Sequence, residues 1–177
     1  NVGWSWEDVL PYFKKSENNQ RGESDFHGTT GPLSVEDMRV KMKVLDTFIN
    51  AASEFGFKHQ SDFNTGDNEG IGYFQVTQRN GFRCSAAVGY LNPIKNRKNL
   101  KIITKAHIKN IEFIDKKAVS VNYWLGNELK SAQSNIEIIL SAGSIGSPHI
   151  LQASGVGPSD LLKENDVNVL HENKSVG

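Results

Sequence analysis

The sequence predicts a mixed α+β / α/β fold, and three stretches of the chain indicate it. An apolar run at residues 136–140 is followed by small residues and a helix entry, which is the pattern of a strand–turn–helix unit. Residues 36–56 carry apolar side chains at helical spacing, whereas residues 97–124 fall into short alternating runs typical of antiparallel strands. Helices and short strands are therefore expected within one chain of 177 residues.

The composition excludes several classes of protein. Lys+Arg and Asp+Glu number 20 each, so no net charge would recruit nucleic acid, and no nucleic-acid partner is expected. The lone Cys84 rules out an internal disulfide and a multi-cysteine metal site. No apolar run approaches the roughly 20 residues that span a bilayer. We therefore expect a chain without a transmembrane segment, placed in the cytoplasm or peripherally on a membrane.

The strand–turn–helix unit is the most informative stretch. Ile136–Leu140 is predicted as a buried strand, and the four small residues at 141–144 would let a ligand or another backbone come close. Ser147 and Pro148 are predicted as N-cap and first residue of the helix, and Gly155 as its left-handed end. Such a unit can present backbone N–H groups to an anion. Tight packing of the turn is the alternative explanation.

The first half of the chain is predicted to contain two helices and two loops. Ser5 and Asp8 form a capping-box pattern before an amphipathic helix, which Pro11 is expected to kink or restart. Residues 19–34 are predicted as an exposed loop with a solvated His27, and residues 36–56 as a scaffold helix. The acidic residues at 62–69 lack the spacing of an EF-hand loop, so turn chemistry explains them better than calcium binding.

Short strands and turns follow in the second half. Asn80-Gly81 predicts a turn, and Ser85 a helix cap before Pro93. The predicted strands and the one short helix lie at the following positions: strands 72–77, 99–104, 106–113, 118–124 and 167–170, and helix 158–163. Within strand 106–113, Ile108 and Ile111 are the expected buried residues.

Residues 143–157, GSIGSPHILQASGVG, resemble the second signature of the glucose–methanol–choline (GMC) family of flavin oxidoreductases. Residues 3–17 and 81–93 resemble two further family stretches, so the resemblance covers nearly the whole chain. It implies a partial GMC fold. Residues 1–78 would belong to the substrate or cap region, and residues 79–177 to the FAD-binding domain with its β-meander and strand–turn–helix unit.

The resemblance also implies where the cofactor and substrate would bind. FAD would contact Ala142 and Gly143, and Ile108, which stands in the family's Ala-x-Val step beside the adenine. Tyr73, Phe74 and Gln75 are the weaker candidates for lining the substrate cavity. No residue of this chain is predicted to be catalytic, and none to bind a metal.

The function implied is oxidation of an alcohol, with choline as one candidate, by hydride transfer to flavin in an FAD-dependent dehydrogenase. The chain has no Gly-x-Gly-x-x-Gly fingerprint after a strand and no counterpart of the family's C-terminal catalytic pair. It is therefore interpreted as an internal fragment, inactive alone, of a longer protein. A flavin-dependent oxidase or lyase of the same fold, or a non-catalytic interaction domain, are the alternatives, and the electron acceptor stays open.

Overall fold

The computed structural model describes residues 2–177, which form two compact units divided between Lys101 and Ile102. The predicted assignment of residues 1–78 and 79–177 to substrate and cofactor regions concerns function and stays a prediction. Among the described residues, no helix combines the length and the apolar character needed to cross a bilayer. The first unit contains the following elements: α1 (Trp6–Ser16), β1 (Glu17–Asn19), β2 (Leu33–Val35), α2 (Lys43–Glu54), β3 (Gln78–Arg79), β4 (Phe82–Arg83) and a π-helical turn (Ala87–Leu91).

Helix α1 begins with the predicted capping box. Ser5 N donates to Asp8 Oδ2 at 3.0 Å, and Asp8 N donates to Ser5 Oγ at 3.4 Å, so two orphan N–H groups are satisfied reciprocally. Helix α1 runs through Pro11, so the expected restart does not occur, while the expected kink stays a prediction. Only one helical turn precedes Pro11, so its missing N–H removes the partner of a single early carbonyl.

The predicted loop at 19–34 is anchored at both ends by strand pairing. β1 and β2 pair in parallel, with Glu17 opposite Leu33 and Asn19 opposite Val35. A Cβ placed on Gly31 would overlap the backbone of Ser16, so the loop passes directly against the end of α1. The loop is therefore packed rather than fully exposed, and the prediction of a solvated His27 is wrong, since that residue is only 7% exposed.

Helix α2 begins later than its apolar pattern predicts. Residues 33–35 form β2, and Glu36 exchanges two backbone hydrogen bonds with Val76, at 3.0 and 2.9 Å. These bonds use backbone groups that a helix starting at residue 36 would need, so the helix starts at Lys43. Its only buried residue is Ile49, while Val44 and Phe48 of the predicted stripe are exposed.

The segment before β3 is mostly irregular. The predicted strand 72–77 does not form, because its only pairing is the isolated bridge of Val76 to Glu36. Asp62 accepts a hydrogen bond from Asn64 N at 2.9 Å, the turn chemistry predicted for this stretch. The Asn80-Gly81 turn is confirmed, since both residues have positive φ, 53° and 85°, between β3 and β4.

The helix predicted after Ser85 is a single π-helical turn. Asn92 N donates to Ala87 O at 2.8 Å, a bond five residues back, and Ser85 Oγ accepts from Val88 N at 3.3 Å. The second unit contains the following elements: β5 (Ala106–Ile114), β6 (Lys117–Leu125), β7 (Glu128–Gln133), α3 (Gly143–Ala153), β8 (Val156–Gly157), α4 (Ser159–Glu164) and β9 (His171–Glu172).

Strands β5, β6 and β7 form the predicted antiparallel meander in sequence order. Ile108 pairs with Tyr123 and Ile111 with Val121, so Lys109 is an extra residue that forms a β-bulge. Because Tyr123 and Val121 lie two residues apart, the bulge puts Ile108 and Ile111 on one face of the sheet. Ile111 is buried as predicted, and Ile108 is half-buried.

Three strand predictions in this part of the chain are wrong. Residues 99–104 form no strand, and Ile136–Leu140 have no strand partner among residues 2–177, with Ile136 86% exposed. An extended apolar segment becomes a strand only where another strand satisfies its backbone. No residue of the strand expected at 167–170 is in a strand; β9 begins directly after it, at His171, and pairs in parallel with β8. The predicted helix at 158–163 is confirmed as α4.

Candidate functional site at the start of helix α3

The first turn of α3 has uncapped backbone N–H groups. The N-cap is Ala142, which makes no side-chain capping bond, and the helix begins at Gly143, five residues before the predicted first helical residue, Pro148. Ser147 lies inside the helix, where its Oγ accepts a hydrogen bond from Ala142 N at 2.9 Å. Within residues 2–177, no side chain accepts from the N–H groups of residues 143–145, so these donors and the helix dipole are available to an anion.

Gly143 makes this corner accessible. Its φ is +88°, a conformation that side-chain-bearing residues rarely adopt, and a Cβ placed on it would have no atom within 4 Å. The positive φ is therefore required by the turn, while the space beside it is open. The donors and the open space together fit a phosphate-containing cofactor that approaches the backbone closely.

Ile108, the third predicted cofactor residue, lies in β5 beside the other end of α3. It lines a cavity of about 250 Å³ with Trp124 and with Ile150 and Ala153 of α3. Seven residues separate Gly143 from Ile150, or roughly 10 Å of helix at 1.5 Å per residue. The predicted cofactor residues thus lie near opposite ends of α3, with Ala142 and Gly143 at its start and Ile108 of β5 beside its last turns, an arrangement suited to an elongated ligand.

Ser154 was not predicted as a site residue from the sequence, although it connects strand β5 to helix α3. Its Oγ accepts a hydrogen bond from Ile111 N of β5 at 2.8 Å and donates to Ile150 O of α3 at 2.6 Å. A serine in the last turn of a helix often bonds the carbonyl four residues back, so the bond from Ser154 to Ile150 could have been predicted from the sequence. The bond to β5 links residues 43 positions apart and has no sequence pattern.

In the first unit, Tyr73, Phe74 and Gln75 each have a separate neighbour. The Tyr73 hydroxyl donates to Asp46 Oδ1 at 2.7 Å, and this hydrogen bond to a carboxylate raises the pKa of Tyr73 above its usual value. The Phe74 ring lies 4.5 Å from that of Phe63. The Gln75 amide forms a reciprocal pair with Asn19, at 3.0 and 3.2 Å. Their predicted role in lining a substrate cavity stays a prediction.

A buried ionic cluster, formed by His27, Glu17 and Asp62, is a second feature that sequence reasoning missed. His27 Nδ1 lies 2.9 Å from Glu17 Oε2, and Nε2 lies 2.9 Å from Asp62 Oδ2. Since each ring nitrogen faces a carboxylate oxygen, both nitrogens donate when the imidazole is the cation. The carboxylates come from positions 10 residues before and 35 residues after His27, a spacing that no local pattern reveals.

Comparison with known proteins identifies relatives over nearly the whole chain. A family model described as GMC oxidoreductase matches residues 1–171. The chain is 41% identical over 176 residues to an oxygen-dependent choline dehydrogenase of Pectobacterium atrosepticum, and 39% identical over 178 residues to an alcohol dehydrogenase [acceptor] of Pseudomonas putida. Each alignment covers 98% of this chain and 32% of the relative, so the chain spans about a third of the length of these relatives.

Solved structures also match the fold over nearly the whole chain. Pyridoxine 4-oxidase from Mesorbium loti superimposes with a TM-score of 0.89 at 27% identity, covering 97% of this chain and 34% of that structure. An FAD-dependent oxidoreductase from Chaetomium thermophilum has a TM-score of 0.89 at 29% identity, with 98% and 33% covered. The predicted mixed fold and the predicted family resemblance are both confirmed.

Proposed function

Because the chain belongs to the GMC oxidoreductase family, we propose that the full-length protein is an FAD-dependent dehydrogenase that oxidises an alcohol. The observation that carries the proposal is the open backbone corner at Gly143, where uncapped helical N–H groups meet free space. FAD, when bound, would supply the chemistry by accepting hydride from the alcohol carbon. This chain would contribute to binding and orienting the cofactor.

In this proposal, residues of the second unit bind the cofactor and residues of the first unit bind the substrate. Ala142 and Gly143 would contact FAD through their backbone at the start of α3, and Ile108 would contact it through the backbone of edge strand β5. Tyr73, Phe74 and Gln75 are the proposed substrate-side residues of the first unit. Choline is the first alcohol to test, since several relatives at about 40% identity are named choline dehydrogenases.

The direct test is the visible absorption spectrum of the purified full-length protein. Flavin absorption bands that bleach on anaerobic addition of choline or another small alcohol would support the dehydrogenase. Rapid recovery of the bands in air without an added acceptor would favour the oxidase alternative. Flavin that no alcohol reduces would favour a lyase, and a colourless protein that binds no added FAD would overturn the proposal.

Replacing Gly143 with alanine tests whether FAD binds at the open backbone corner. We expect the dissociation constant for FAD to rise at least tenfold, because the new Cβ would occupy the space that the cofactor needs. The positive φ should cost about 1 kcal/mol of folding free energy. Gly126→Ala is the matched control, because Gly126 has φ +61° and equally open space but lies in the β6–β7 turn. FAD titration of the two deflavinated variants should separate them, and equal affinities would contradict the assignment.

A further inference from the structure

Ser154 forms the one side-chain hydrogen bond that joins α3 to β5 in the described second unit. The hydroxyl makes two hydrogen bonds, since it accepts from Ile111 N and donates to Ile150 O. Ile111 is only 5% exposed, so without the serine oxygen its N–H would have little access to water. The contact is therefore a defined attachment point between the two elements.

The position of this attachment on β5 is informative. The strand is at the edge of its sheet, and the bulge at Lys109 interrupts its pairing with β6 between Ile108 and Asn110. Bulges locally disrupt the ladder and bend the strand that contains them. The hydrogen bond from Ile111 N to Ser154 Oγ thus attaches the free edge of β5 to α3, one residue after Asn110, where pairing with β6 resumes.

The helix side of the attachment is equally constrained. Ser154 is the C-cap of α3, and the following Gly155 O accepts hydrogen bonds from Leu170 N at 2.8 Å and His171 N at 3.1 Å. The end of α3 is thereby tied to β9 as well as to β5. Since a helix is stiff over three turns, fixing this end also fixes where its first turn at Gly143 lies relative to Ile108.

We propose that Ser154 is a positioning residue for FAD, acting through Ile108 on the adenosine half of the cofactor. This inference rests on the proposed function, because it requires that the full-length protein bind FAD. Ser154 itself touches no cofactor atom in this proposal. It sets the separation between the strand that carries Ile108 and the helix that begins at Gly143.

The test uses the full-length protein after removal of its flavin. Ser154→Ala should weaken binding of FAD and of ADP about tenfold, because binding must then order the part of β5 that the serine holds in place. Binding of FMN, which lacks the adenosine half, should change less than twofold. Ser154→Thr keeps the hydroxyl and should restore most of the FAD affinity. Ser131→Ala, on exposed strand β7, is the matched control and should change none of these affinities.

The possible results distinguish a failure of the proposed function from a failure of the positioning role of Ser154. A wild-type protein that binds no FAD would contradict the proposed function itself. Wild-type binding with an unchanged Ser154→Ala variant, or with FAD, ADP and FMN weakened equally, would overturn the positioning role alone. If the alanine variant does not fold, Ser154→Cys takes its place, and FAD affinities in the order Ser, Thr, Cys are expected. Equal affinities across that series would overturn the role.

Discussion

Replacing His27 with leucine in the full-length protein is expected to lower the free energy of unfolding by about 3 kcal/mol. The imidazole lies between the Glu17 and Asp62 carboxylates, whose side chains are only 17% and 20% exposed. In the leucine variant, both half-buried carboxylates would lose the imidazole as a hydrogen-bonding partner and would face an apolar side chain instead. Urea titration followed by tryptophan fluorescence measures the loss.

Two comparisons make this expectation specific to the cluster. His59→Leu changes an exposed histidine of the same unit and should alter stability by no more than about 0.5 kcal/mol. Adding Glu17→Gln and Asp62→Asn to the leucine variant should recover part of the loss, because amide side chains cost less to leave without the imidazole than carboxyl side chains do. A His27→Leu variant as stable as His59→Leu would mean that the cluster contributes nothing measurable.

Gly155→Ala is expected to cost about 3 kcal/mol of unfolding free energy, combining a strained left-handed residue with overpacking. Gly155 has φ +86°, and a Cβ on it would lie 2.5 Å from Asn168 O and 3.3 Å from Leu170 N. Residues 168–170, which precede β9, would have to move to make room. Thermal unfolding of the variant and wild type, compared at the same protein concentration, checks the expected loss.

Gly126→Ala again serves as the matched control, since the same left-handed strain occurs there without any neighbour within 4 Å. Its expected cost is about 1 kcal/mol, so the difference between the two variants isolates the steric part. If both variants lost the same stability, the close approach of residues 168–170 to Gly155 would not contribute.

Local chemistry made part of the fold predictable. The capping box of Ser5 and Asp8, the Asn80-Gly81 turn and the left-handed Gly155 each depend on residues within a few positions of one another. The strands of the meander were predictable for the same reason, because alternation along β5 and β6 is a local property.

The errors occurred where distant partners decide the outcome. Residues 36–42 have helical spacing, yet pairing of Glu36 with Val76 delays α2 until Lys43. Ile136–Leu140 have strand composition, yet no strand of the described residues pairs with them. His27 became buried because a carboxylate 35 residues away approaches it. Propensity describes a segment, whereas hydrogen-bond partners belong to the tertiary structure.

The same distinction holds for the candidate site. The small residues at 142–143 predicted a turn that a ligand could approach, and a Cβ placed on Gly143 has no atom within 4 Å; that these residues contact FAD stays a prediction. The attachment of Ser154 to Ile111 was not predictable, since it depends on how α3 lies against β5.

The bulge at Lys109 has a consequence for how this segment can vary in evolution. Deleting Lys109 would leave Ile108 and Ile111 two positions apart, so both would keep their partners and their face, but the local bend that the bulge gives β5 would be lost. The irregularity between Glu112 and Phe113, where β6 carries the extra residue, would then lack its counterpart. Related genes should therefore tolerate amino-acid exchanges at position 109 far more readily than a change in the length of this strand.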